Sequence, residues 1–209
     1  MIRGVLFDLD GVLADTERLQ WAAYRQVLGA YGVDVGLEEY RLHWIRRGGG
    51  PEYARRTYHL PITVAELKGR KAAAYLALVA DGVAPRAGAV EAVERLRPTH
   101  RLALATNSTR AEVDLVLGRI GLAGRLHAIV VREDYLRAKP APDAYQTAAA
   151  ALGLPAGECV VVEDTERGVQ AAVAAGIRVI AAPHDLTDDN DFSACARRLG
   201  HLDELTAAL

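Results

Sequence analysis

The chain has 209 residues, about half of them apolar, which is enough for one sizeable hydrophobic core or for one core with a small appended module. Lysines and arginines number 25 against 27 aspartates and glutamates, and the formal net charge of -2 excludes a strongly basic protein that binds nucleic acid or anionic lipid through its overall charge. We therefore expect a small molecule or another protein as the partner, with no nucleic acid and no membrane.

Cysteine usage and the N-terminal stretch predict a cytoplasmic protein. Cys159 and Cys195 are too few for a disulfide framework and lack C-x-x-C spacing, which suits a reducing compartment. The apolar stretch behind Met1 is interrupted at Asp8, so it lacks the apolar region of a secretory signal, and no stretch approaches the roughly 18 apolar residues of a membrane helix. The expected state is a monomer or a weak dimer.

Short β-branched runs alternate with longer alanine- and leucine-rich patterns along most of the chain. The predicted strands cover residues 5–7, 102–105, 128–131, 159–162 and 177–181. The predicted helices between them, each ending near a glycine, cover residues 110–119, 142–152 and 166–175. Strands that are apolar throughout are typical of a sheet covered on both faces, so we predict an α/β fold with a doubly wound parallel sheet.

More than 90 residues without a strand-like run separate the first predicted strand from the second. Helical patterns fill this interval at residues 17–31, 37–46, 51–58 and 64–79. A βαβ crossover needs far fewer residues, so residues 15–84 are predicted to form an inserted helical unit, with residues 1–14 and 85–209 forming the core. An insertion placed here would cover what the first strand presents, so we expect a lid, with an additional packing layer as the alternative.

Three further features have simple structural interpretations. The polar, turn-rich stretch 183–191 is interpreted as a solvated surface loop. Trp21, Tyr24 and Trp44 have helical spacing and are interpreted as core residues of the insertion, with a substrate pocket as the alternative. No pair of histidines has metal-ligand spacing, so surface or insertion positions are expected for all six: His43, His59, His100, His127, His184 and His201.

Chemically unusual residues follow three of the predicted strands. They are Asp8-Leu9-Asp10-Gly11 after the first, Thr106-Asn107-Ser108 after the second, and Glu163-Asp164 after the strand at 159–162. Because the carboxyl ends of parallel strands meet at one edge of a sheet, we expect these residues to lie close together. Asp8 and Asp10 point the same way by strand alternation, and two such carboxylates repel unless a cation lies between them. The alternative for Thr106 or Ser108, and for the stretch Asp164-Thr165-Glu166, is an ordinary helix N-cap.

The four acids Asp8, Asp10, Glu163 and Asp164 form a candidate site of hard oxygen ligands, because no histidine or thiol cluster accompanies them. Such a donor set selects Mg²⁺, which usually shares its coordination shell with a phosphate. Lys139 stands just before a helix whose start is marked by prolines. Its ammonium is therefore a candidate phosphate clamp at the same edge, with a solvated surface lysine as the alternative.

These residues resemble the four motifs of the haloacid dehalogenase superfamily of phosphotransferases, and the resemblance extends over essentially the whole chain. Asp8-Leu9-Asp10-Gly11-Val12 is similar to the first motif, Thr106 to the second, Lys139 to the third and Glu163-Asp164 to the fourth. Residues 15–84 resemble the helical cap of the family, and the rest its Rossmann-like core. The branch with the strongest similarity holds β-phosphoglucomutases and small-metabolite phosphatases.

The resemblance implies a Mg²⁺-dependent phosphatase that acts on a small phosphorylated metabolite, such as a sugar or polyol phosphate, through an aspartyl-phosphate. Asp8 would be the nucleophile. Asp10 would carry a proton before attack, give it to the leaving alcohol, and later take one from the attacking water. Because the dehalogenases lack this second aspartate, Asp10 argues against carbon–halogen chemistry.

The resemblance also implies which residues bind the metal and the phosphoryl group. Asp8, the backbone carbonyl of Asp10, and Asp164 would bind Mg²⁺, with Glu163 acting directly or through a water. The candidate phosphate-binding groups are the Thr106 hydroxyl, the neighbouring backbone N–H groups including that of Asn107, and the Lys139 ammonium.

A phosphosugar mutase is the alternative function. The mutase pattern is matched at Thr16 and Lys71, but it has a histidine where Gln20 stands and an arginine near the glycine run 48–50 that holds a second phosphate. Arg46 or Arg47 could replace that arginine. The candidate substrate contacts of the insertion are therefore Arg46, Arg47, Lys71 and Gln20. A non-catalytic ligand-binding fold is the third hypothesis, and it predicts the loss of a motif residue, which is not observed.

Overall fold

The computed structural model describes all 209 residues and places six strands in one parallel sheet. The strands are β1 (Gly4–Phe7), β2 (Arg101–Ala105), β3 (Ala128–Val130), β4 (Cys159–Glu163), β5 (Arg178–Ala181) and β6 (Arg197–Arg198). Their order across the sheet is β3-β2-β1-β4-β5-β6. Phe7 of the central β1 pairs with Leu104 of β2 and with Val162 of β4, so the residues after these three strands emerge side by side.

Nine α-helices accompany the sheet. They are α1 (Glu17–Gly29), α2 (Leu37–Tyr40), α3 (Gly50–Thr57), α4 (Val64–Asp81), α5 (Ala89–Leu96), α6 (Arg110–Arg119), α7 (Asp143–Ala151), α8 (Glu166–Ala174) and α9 (Leu205–Ala208). A π-helical segment, Arg41–Arg46, continues α2, where the sequence predicts one α-helix. None of these helices combines the length and the apolar character needed to cross a bilayer.

Both faces of the sheet are covered, as predicted. Strand alternation sends Phe7 to one face and Leu6 to the other, and both side chains are fully buried. Helices α5 and α6 pack on the Phe7 face, and α7 and α8 pack on the Leu6 face. The prediction of a doubly wound α/β fold is therefore confirmed. The short, exposed β6 was not predicted, because Arg197–Arg198 has no apolar residue to mark it.

Helices α1 to α4 lie between β1 and β2 and have their own apolar cluster, which includes Tyr24, Leu28 and Leu67. The chain enters and leaves this unit at neighbouring points: the Asp15 N–H donates to the Ala84 carbonyl at 2.9 Å, and the Arg86 N–H donates to the Leu13 carbonyl at 3.0 Å. These paired crossings support the division at residues 15–84, which stays a prediction. We call α1 to α4 with their connections the helical insertion.

The stretch 183–191 is solvated only in part: Asp185, Asp188, Asp189 and Asp191 are exposed, as predicted for a solvated surface loop, whereas four other residues are not. His184, Leu186, Thr187 and Asn190 are all buried. Leu186 packs in the apolar cluster of the helical insertion. The buried polar side chains have specific partners in the protein; for example, Asn190 accepts a hydrogen bond from the Glu166 N–H at 3.0 Å. Composition alone does not distinguish a polar segment with buried partners from one that is solvated.

Candidate active site

The carboxyl ends of β1, β2 and β4 meet at a cavity of about 310 Å³ between the sheet edge and the helical insertion. Backbone hydrogen bonds continue the sheet to this edge: the Asp8 N–H donates to the Val162 carbonyl and the Thr106 N–H donates to the Val130 carbonyl, both at 3.1 Å. The structure brings together at this cavity the residues singled out at the strand ends, namely Asp8, Asp10, Thr106, Asn107, Ser108, Glu163 and Asp164, together with Lys139.

Lys139 is the cation at the centre of the site, and its side chain is 5% exposed. Its ammonium donates to Asp8 Oδ1 at 2.6 Å, to Glu163 Oε1 at 2.8 Å and to the Tyr145 hydroxyl at 2.8 Å. Burial lowers the pKa of Lys139, but the charges of Asp8 and Glu163 more than offset this and raise that pKa above its usual value. The ammonium is therefore charged at neutral pH and fixed against Asp8.

Glu163 has protein donors on both of its oxygens. Oε1 accepts from Lys139 and from the Tyr145 hydroxyl, and Oε2 accepts from the N–H groups of Asp164 and Thr165 and from the Thr165 hydroxyl. Burial raises the pKa of Glu163, but Lys139 and these hydrogen bonds outweigh it, and the pKa lies below its usual value. The side chain anchors Lys139 and the turn into α8; this arrangement does not favour the expected direct contact with a metal.

The Glu163 carboxylate also requires a glycine in the helix that follows. A Cβ atom on Gly168 would lie 1.8 Å from the carboxylate carbon. The N-cap of α8 is Thr165, whose side chain accepts from the Gly168 N–H at 3.2 Å. The predicted N-cap within Asp164-Thr165-Glu166 is therefore Thr165, and the Asp164 carboxylate does not cap the helix.

Three oxygens at the cavity have no protein donor. Asp164 Oδ1 is buried without a hydrogen-bond partner, Asp8 bonds Lys139 through Oδ1 and leaves Oδ2 without a donor, and the Asp10 carbonyl accepts no backbone hydrogen bond. Burial raises the pKa of both Asp8 and Asp164 above the usual aspartate value; the charge of Lys139 opposes this shift, and neighbouring carboxylates add to it. No cluster of three acidic, histidine or cysteine side chains forms a complete metal shell. Two carboxylates and a carbonyl nevertheless fit Mg²⁺, which fills its remaining positions with water or phosphate.

His184 orients Asp164 and was missed by the sequence analysis, which expected a surface or insertion position. The Leu186 N–H donates to His184 Nδ1 at 3.3 Å, so Nε2 carries the proton and donates to Asp164 Oδ2 at 3.1 Å. Burial lowers the pKa of His184. A lone histidine in a polar stretch gave no spacing signal, because its partner Asp164 lies 20 residues away in the chain.

Asp10 is held from both sides of the cavity. Ser108 Oγ donates to Asp10 Oδ2 at 2.7 Å from the core, and Thr16 Oγ1 at 2.5 Å and Gln20 Nε2 at 3.1 Å donate to Oδ1 from the helical insertion. Hydroxyl groups accept as well as donate. Thr16 and Ser108 can therefore donate to an Asp10 carboxylate or accept from a protonated Asp10 carboxyl group. The Asp10 side chain is thus committed to these partners and not to the metal position.

The residues that follow β2 form a turn and hold the Lys139 segment in place. Thr106 is buried, and its hydroxyl accepts from the Ser108 N–H at 3.1 Å. The Asn107 side chain oxygen accepts from the Lys139 N–H at 3.1 Å, so it holds the segment that carries the ammonium. The N-cap of α6 is Thr109, which forms a capping box with Glu112. The alternative interpretation of Thr106 or Ser108 as the cap is therefore wrong.

The helical insertion has four candidate substrate-contacting residues, and the structure places two of them at the cavity. They are Gln20 and Lys71, and Lys71 pairs with the buried Glu112 of α6 at 3.5 Å. Arg46 and Arg47 are exposed and do not line the cavity; Arg46 donates to the Asp189 carbonyl outside it. Tyr24 and Trp44 pack in the insertion's apolar cluster, as expected of core residues, and they also line the cavity.

The cavity wall includes four charged residues that sequence reasoning missed, namely Glu17, Lys68, Glu112 and Arg167. Glu17 accepts from the Tyr40 hydroxyl at 3.0 Å, and burial together with the charge of Asp10 raises its pKa to about 7. Arg167 donates to the Lys139 carbonyl at 2.5 Å. Isolated charged residues in helices are usually solvated, so no sequence signal distinguished these four.

Comparison with known proteins identifies relatives whose similarity extends over all the residues of the site. The family model of haloacid dehalogenase-like hydrolases matches residues 5–182, a range that includes every strand-end residue described above. Protein CbbY of Rhodobacter capsulatus is 33% identical over 213 residues, covering 96% of this chain and 94% of the relative. Fructose-1-phosphate phosphatase YqaB of Escherichia coli K12 is 30% identical, covering 85% and 94%.

This chain is similar to a solved structure over nearly the full length of both chains. It is the crystal structure of a mutant CbbY from Rhodobacter sphaeroides in complex with xylulose-(1,5)bisphosphate. It is 31% identical, has a TM-score of 0.88, and the match covers 100% of this chain and 99% of that chain. The similarity therefore includes the helical insertion as well as the sheet.

Proposed function

Because the chain belongs to the haloacid dehalogenase-like hydrolase family, we propose that it is a Mg²⁺-dependent phosphatase that hydrolyses a small phosphorylated sugar or polyol through an aspartyl-phosphate. The observation that carries this proposal is the Asp8 carboxylate, which lies on the cavity wall with a buried ammonium on one oxygen and no donor on the other. The name of one relative as a fructose-1-phosphate phosphatase supports the substrate class.

Asp8 is the proposed nucleophile. Its carboxylate attacks phosphorus, a P–O bond to Asp8 forms, and the ester P–O bond breaks to release the alcohol. Water then attacks the aspartyl-phosphate, releases phosphate and restores the carboxylate. Lys139 holds Asp8 in position and places a fixed positive charge beside the transferring group, and Thr106 is placed to donate to its oxygens.

Asp10 is the proposed proton carrier. It would give its proton to the leaving alcohol and take one from the attacking water, so the two steps balance. Its contacts with Ser108 in the core and with Thr16 and Gln20 in the insertion support this role, because they fix the carboxyl where the two parts of the protein meet over the cavity. Proton transfer would therefore depend on the insertion being closed over the core.

Mg²⁺ would be held by the Asp8 and Asp164 carboxylates and the Asp10 carbonyl, the three groups with oxygens that lack a protein donor. When bound, it would neutralise charge on the transferring phosphoryl group. His184 would fix the orientation of the Asp164 carboxylate by bonding Oδ2, which leaves Oδ1 free for the metal. Glu163 would act indirectly, since its oxygens hold Lys139 and the turn into α8.

The first prediction concerns phosphate release. Wild-type protein should release phosphate from p-nitrophenyl phosphate and from a panel of sugar and polyol phosphates only with Mg²⁺. Asp8→Asn should lower the rate by about 1,000-fold or more, because the amide is not a competent nucleophile. The matched control is Asp15→Asn, an exposed acid of the same stretch, which should keep the wild-type rate.

Two results would contradict the proposal: phosphate release that survives EDTA, or release that survives Asp8→Asn. The same assay separates the mutase alternative. A phosphosugar mutase primed with a bisphosphate would convert β-glucose 1-phosphate into glucose 6-phosphate with little free phosphate. A phosphatase would release phosphate from its substrate in proportion to turnover.

A further inference from the structure

A second concave site lies at the amino-terminal edge of the sheet, opposite to the edge that carries the active site. Its cavity has a volume of about 260 Å³. None of the eight residues that line it is acidic, and five of them are basic: Arg3, Arg97, His100, Arg101 and His127. The whole chain has 25 lysines and arginines against 27 acidic residues, so this local excess of basic side chains does not follow from composition. We call these five residues the basic cluster.

The parallel sheet brings the basic cluster together from distant parts of the chain. Arg3 precedes β1, Arg101 begins β2, and His127 precedes β3. The Arg101 N–H donates to the Arg3 carbonyl, and the His127 N–H donates to the Leu102 carbonyl, both at 2.8 Å. Arg97 lies at the C-terminal end of α5, in the short connection that leads into β2. Backbone hydrogen bonds of the sheet therefore fix the positions from which these side chains extend.

Two of the three arginines have no acidic partner. The only ion pair of the basic cluster joins Arg3 to Glu158 at 2.8 Å. Arg101 donates to the Leu152 carbonyl at 2.6 Å, which is a neutral acceptor. The side chain of Arg97 is exposed and has no hydrogen-bond partner in the protein. Two guanidinium charges are therefore uncompensated at one concave surface, and a cleft lined by one sign of charge concentrates ions of the opposite sign.

The free hydrogen-bond donors of this cavity suit phosphate oxygens. A guanidinium has five N–H donors in a planar fork that matches a phosphate in a bidentate manner, and Arg101 uses one of its donors within the protein. His127 Nδ1 accepts from the Leu102 N–H at 3.0 Å, so Nε2 carries the proton and is available as a donor. The cavity thus combines uncompensated positive charge with donors that the protein does not use.

We propose that the basic cluster binds a small oligophosphate anion, such as pyrophosphate or tripolyphosphate, at a site separate from the active site. Linked phosphate groups have several negative charges close together, so one anion can contact more than one arginine. The cavity is smaller than the roughly 300–1,000 Å³ of most ligand pockets, and Leu154 is its one hydrophobic lining residue. A compact polar anion suits it better than a nucleoside or an extended nucleic acid, which needs a longer basic surface.

This site is independent of the active site and of the proposed function. Five residues of extended chain separate Arg3 from Asp8, which corresponds to about 16 Å at about 3.3 Å per residue. One small phosphorylated sugar does not reach both positions. An anion held by Arg3, Arg97 and Arg101 would join β1, β2 and the end of α5, an arrangement that exists only in the folded chain, so its binding should also stabilise the fold.

The second prediction concerns binding of tripolyphosphate, measured by calorimetry in EDTA. Arg97→Gln should weaken binding by about 10- to 100-fold, the size expected for the loss of a charge-assisted contact. Arg97→Lys should keep part of the affinity, because it keeps the charge but not the planar fork. The matched control is Arg119→Gln, an exposed arginine of α6 outside the cavity, which should bind as wild type does. Added NaCl should weaken binding to wild type, because exposed charges are screened.

Arg97 is the position of choice because its side chain has no partner in the protein, so Arg97→Gln should fold and melt as wild type does without ligand. Arg101→Gln is a second variant, and it should weaken tripolyphosphate binding in the same direction. Tripolyphosphate should raise the Tm of wild type and of Arg119→Gln, and should raise that of Arg97→Gln less. Wild-type affinity in both Arg97→Gln and Arg101→Gln would overturn the inference, because the anion would then bind elsewhere.

The choice of anion identifies what the basic cluster recognises. Pyrophosphate and tripolyphosphate should bind wild type more tightly than orthophosphate does. Citrate has several charges but no phosphate, so an affinity equal to that of tripolyphosphate would overturn the assignment to phosphate. A short single-stranded oligonucleotide that binds more tightly than tripolyphosphate would overturn the assignment to a small anion. Hydrolysis of p-nitrophenyl phosphate by Arg97→Gln should equal that of wild type, since the cavity and the active site lie at opposite edges of the sheet.

Discussion

Individual side chains at the cavity differ in how their charges are compensated. Lys139 compensates Asp8 and Glu163 together, at 2.6 and 2.8 Å. Glu17 accepts one hydrogen bond, from the Tyr40 hydroxyl, and has no cation within ion-pair distance. Burial first, and then the charge of Asp10, raise the pKa of Glu17 from 4.5 to about 7. Ionisation of Glu17 therefore costs free energy in the folded protein that it does not cost in the unfolded chain.

The third prediction follows from the Glu17 carboxyl. Glu17→Gln should stabilise the metal-free protein at about pH 8 and have little effect at about pH 4. Below pH 4.5 both the folded and unfolded states of wild type bind the proton; between pH 4.5 and about 7 the unfolded state loses it first, so stability falls as pH rises. Glutamine has no charge to bury and can still accept from Tyr40.

Melting temperatures in EDTA at the two pH values provide the measurement. Glu91→Gln, an exposed glutamate of α5, is the matched control and should show no pH-dependent difference from wild type. An equal change in Tm for Glu17→Gln at both pH values would contradict the prediction, because only an ionisation that differs between folded and unfolded states depends on pH.

At the scale of elements, the stretch 183–191 joins the sheet edge to the helical insertion. His184 contacts Asp164 in the core, and Leu186 packs in the insertion's apolar cluster. Arg41 of the insertion donates to the Leu186 carbonyl at 3.2 Å, and Arg18 pairs with Asp185 at 2.5 Å. The element that orients Asp164 is therefore also the one on which the insertion rests.

The fourth prediction concerns this element. Leu186→Ala should lower the free energy of unfolding by about 2–5 kcal/mol, the usual cost of removing a buried leucine side chain. The leucine is 3% exposed and fills space between the core and the insertion. The matched control is Leu136→Ala, since Leu136 is 82% exposed. Urea unfolding of both variants provides the test; an equal stability for the two would show that Leu186 does not hold the insertion.

At the scale of the whole molecule, the apolar packing does not stop at the boundary of the insertion. The largest buried cluster joins Leu9 and Leu13, next to β1, with Ala23 of α1 and Tyr75 and Val79 of α4. The middle of α1 and the C-terminal half of α4 are thus packed into the same cluster as the Phe7 face of the sheet. Shared burial of this kind makes independent unfolding of the insertion costly.

The fifth prediction is a single cooperative unfolding transition. Both tryptophans, Trp21 and Trp44, lie in the helical insertion, so fluorescence reports on the insertion, while far-UV circular dichroism reports on the whole chain. The two unfolding curves in urea should coincide. A fluorescence transition at lower urea would show that the insertion unfolds separately, and the packing of α1 and α4 against β1 would then be weaker than the structure indicates.

The sequence by itself determined the α/β class, the insertion after the first strand, and the set of polar residues at the strand ends. These features depend on local patterns: strand alternation and apolar runs place Asp8, Thr106 and Glu163 at one edge whatever the other side chains do. The π-helical segment Arg41–Arg46 and the exposed β6 have no such pattern and were not predicted.

Only the tertiary structure decided which atoms at that edge are satisfied and which are free. The contacts of His184 with Asp164 and of Arg167 with Lys139 join residues 20 and 28 positions apart. Such contacts depend on how separate elements pack, and a lone histidine or arginine in the sequence is indistinguishable from a solvated one. For the same physical reason, the saturation of Glu163 and the unpartnered oxygen of Asp164 were visible only in the folded chain.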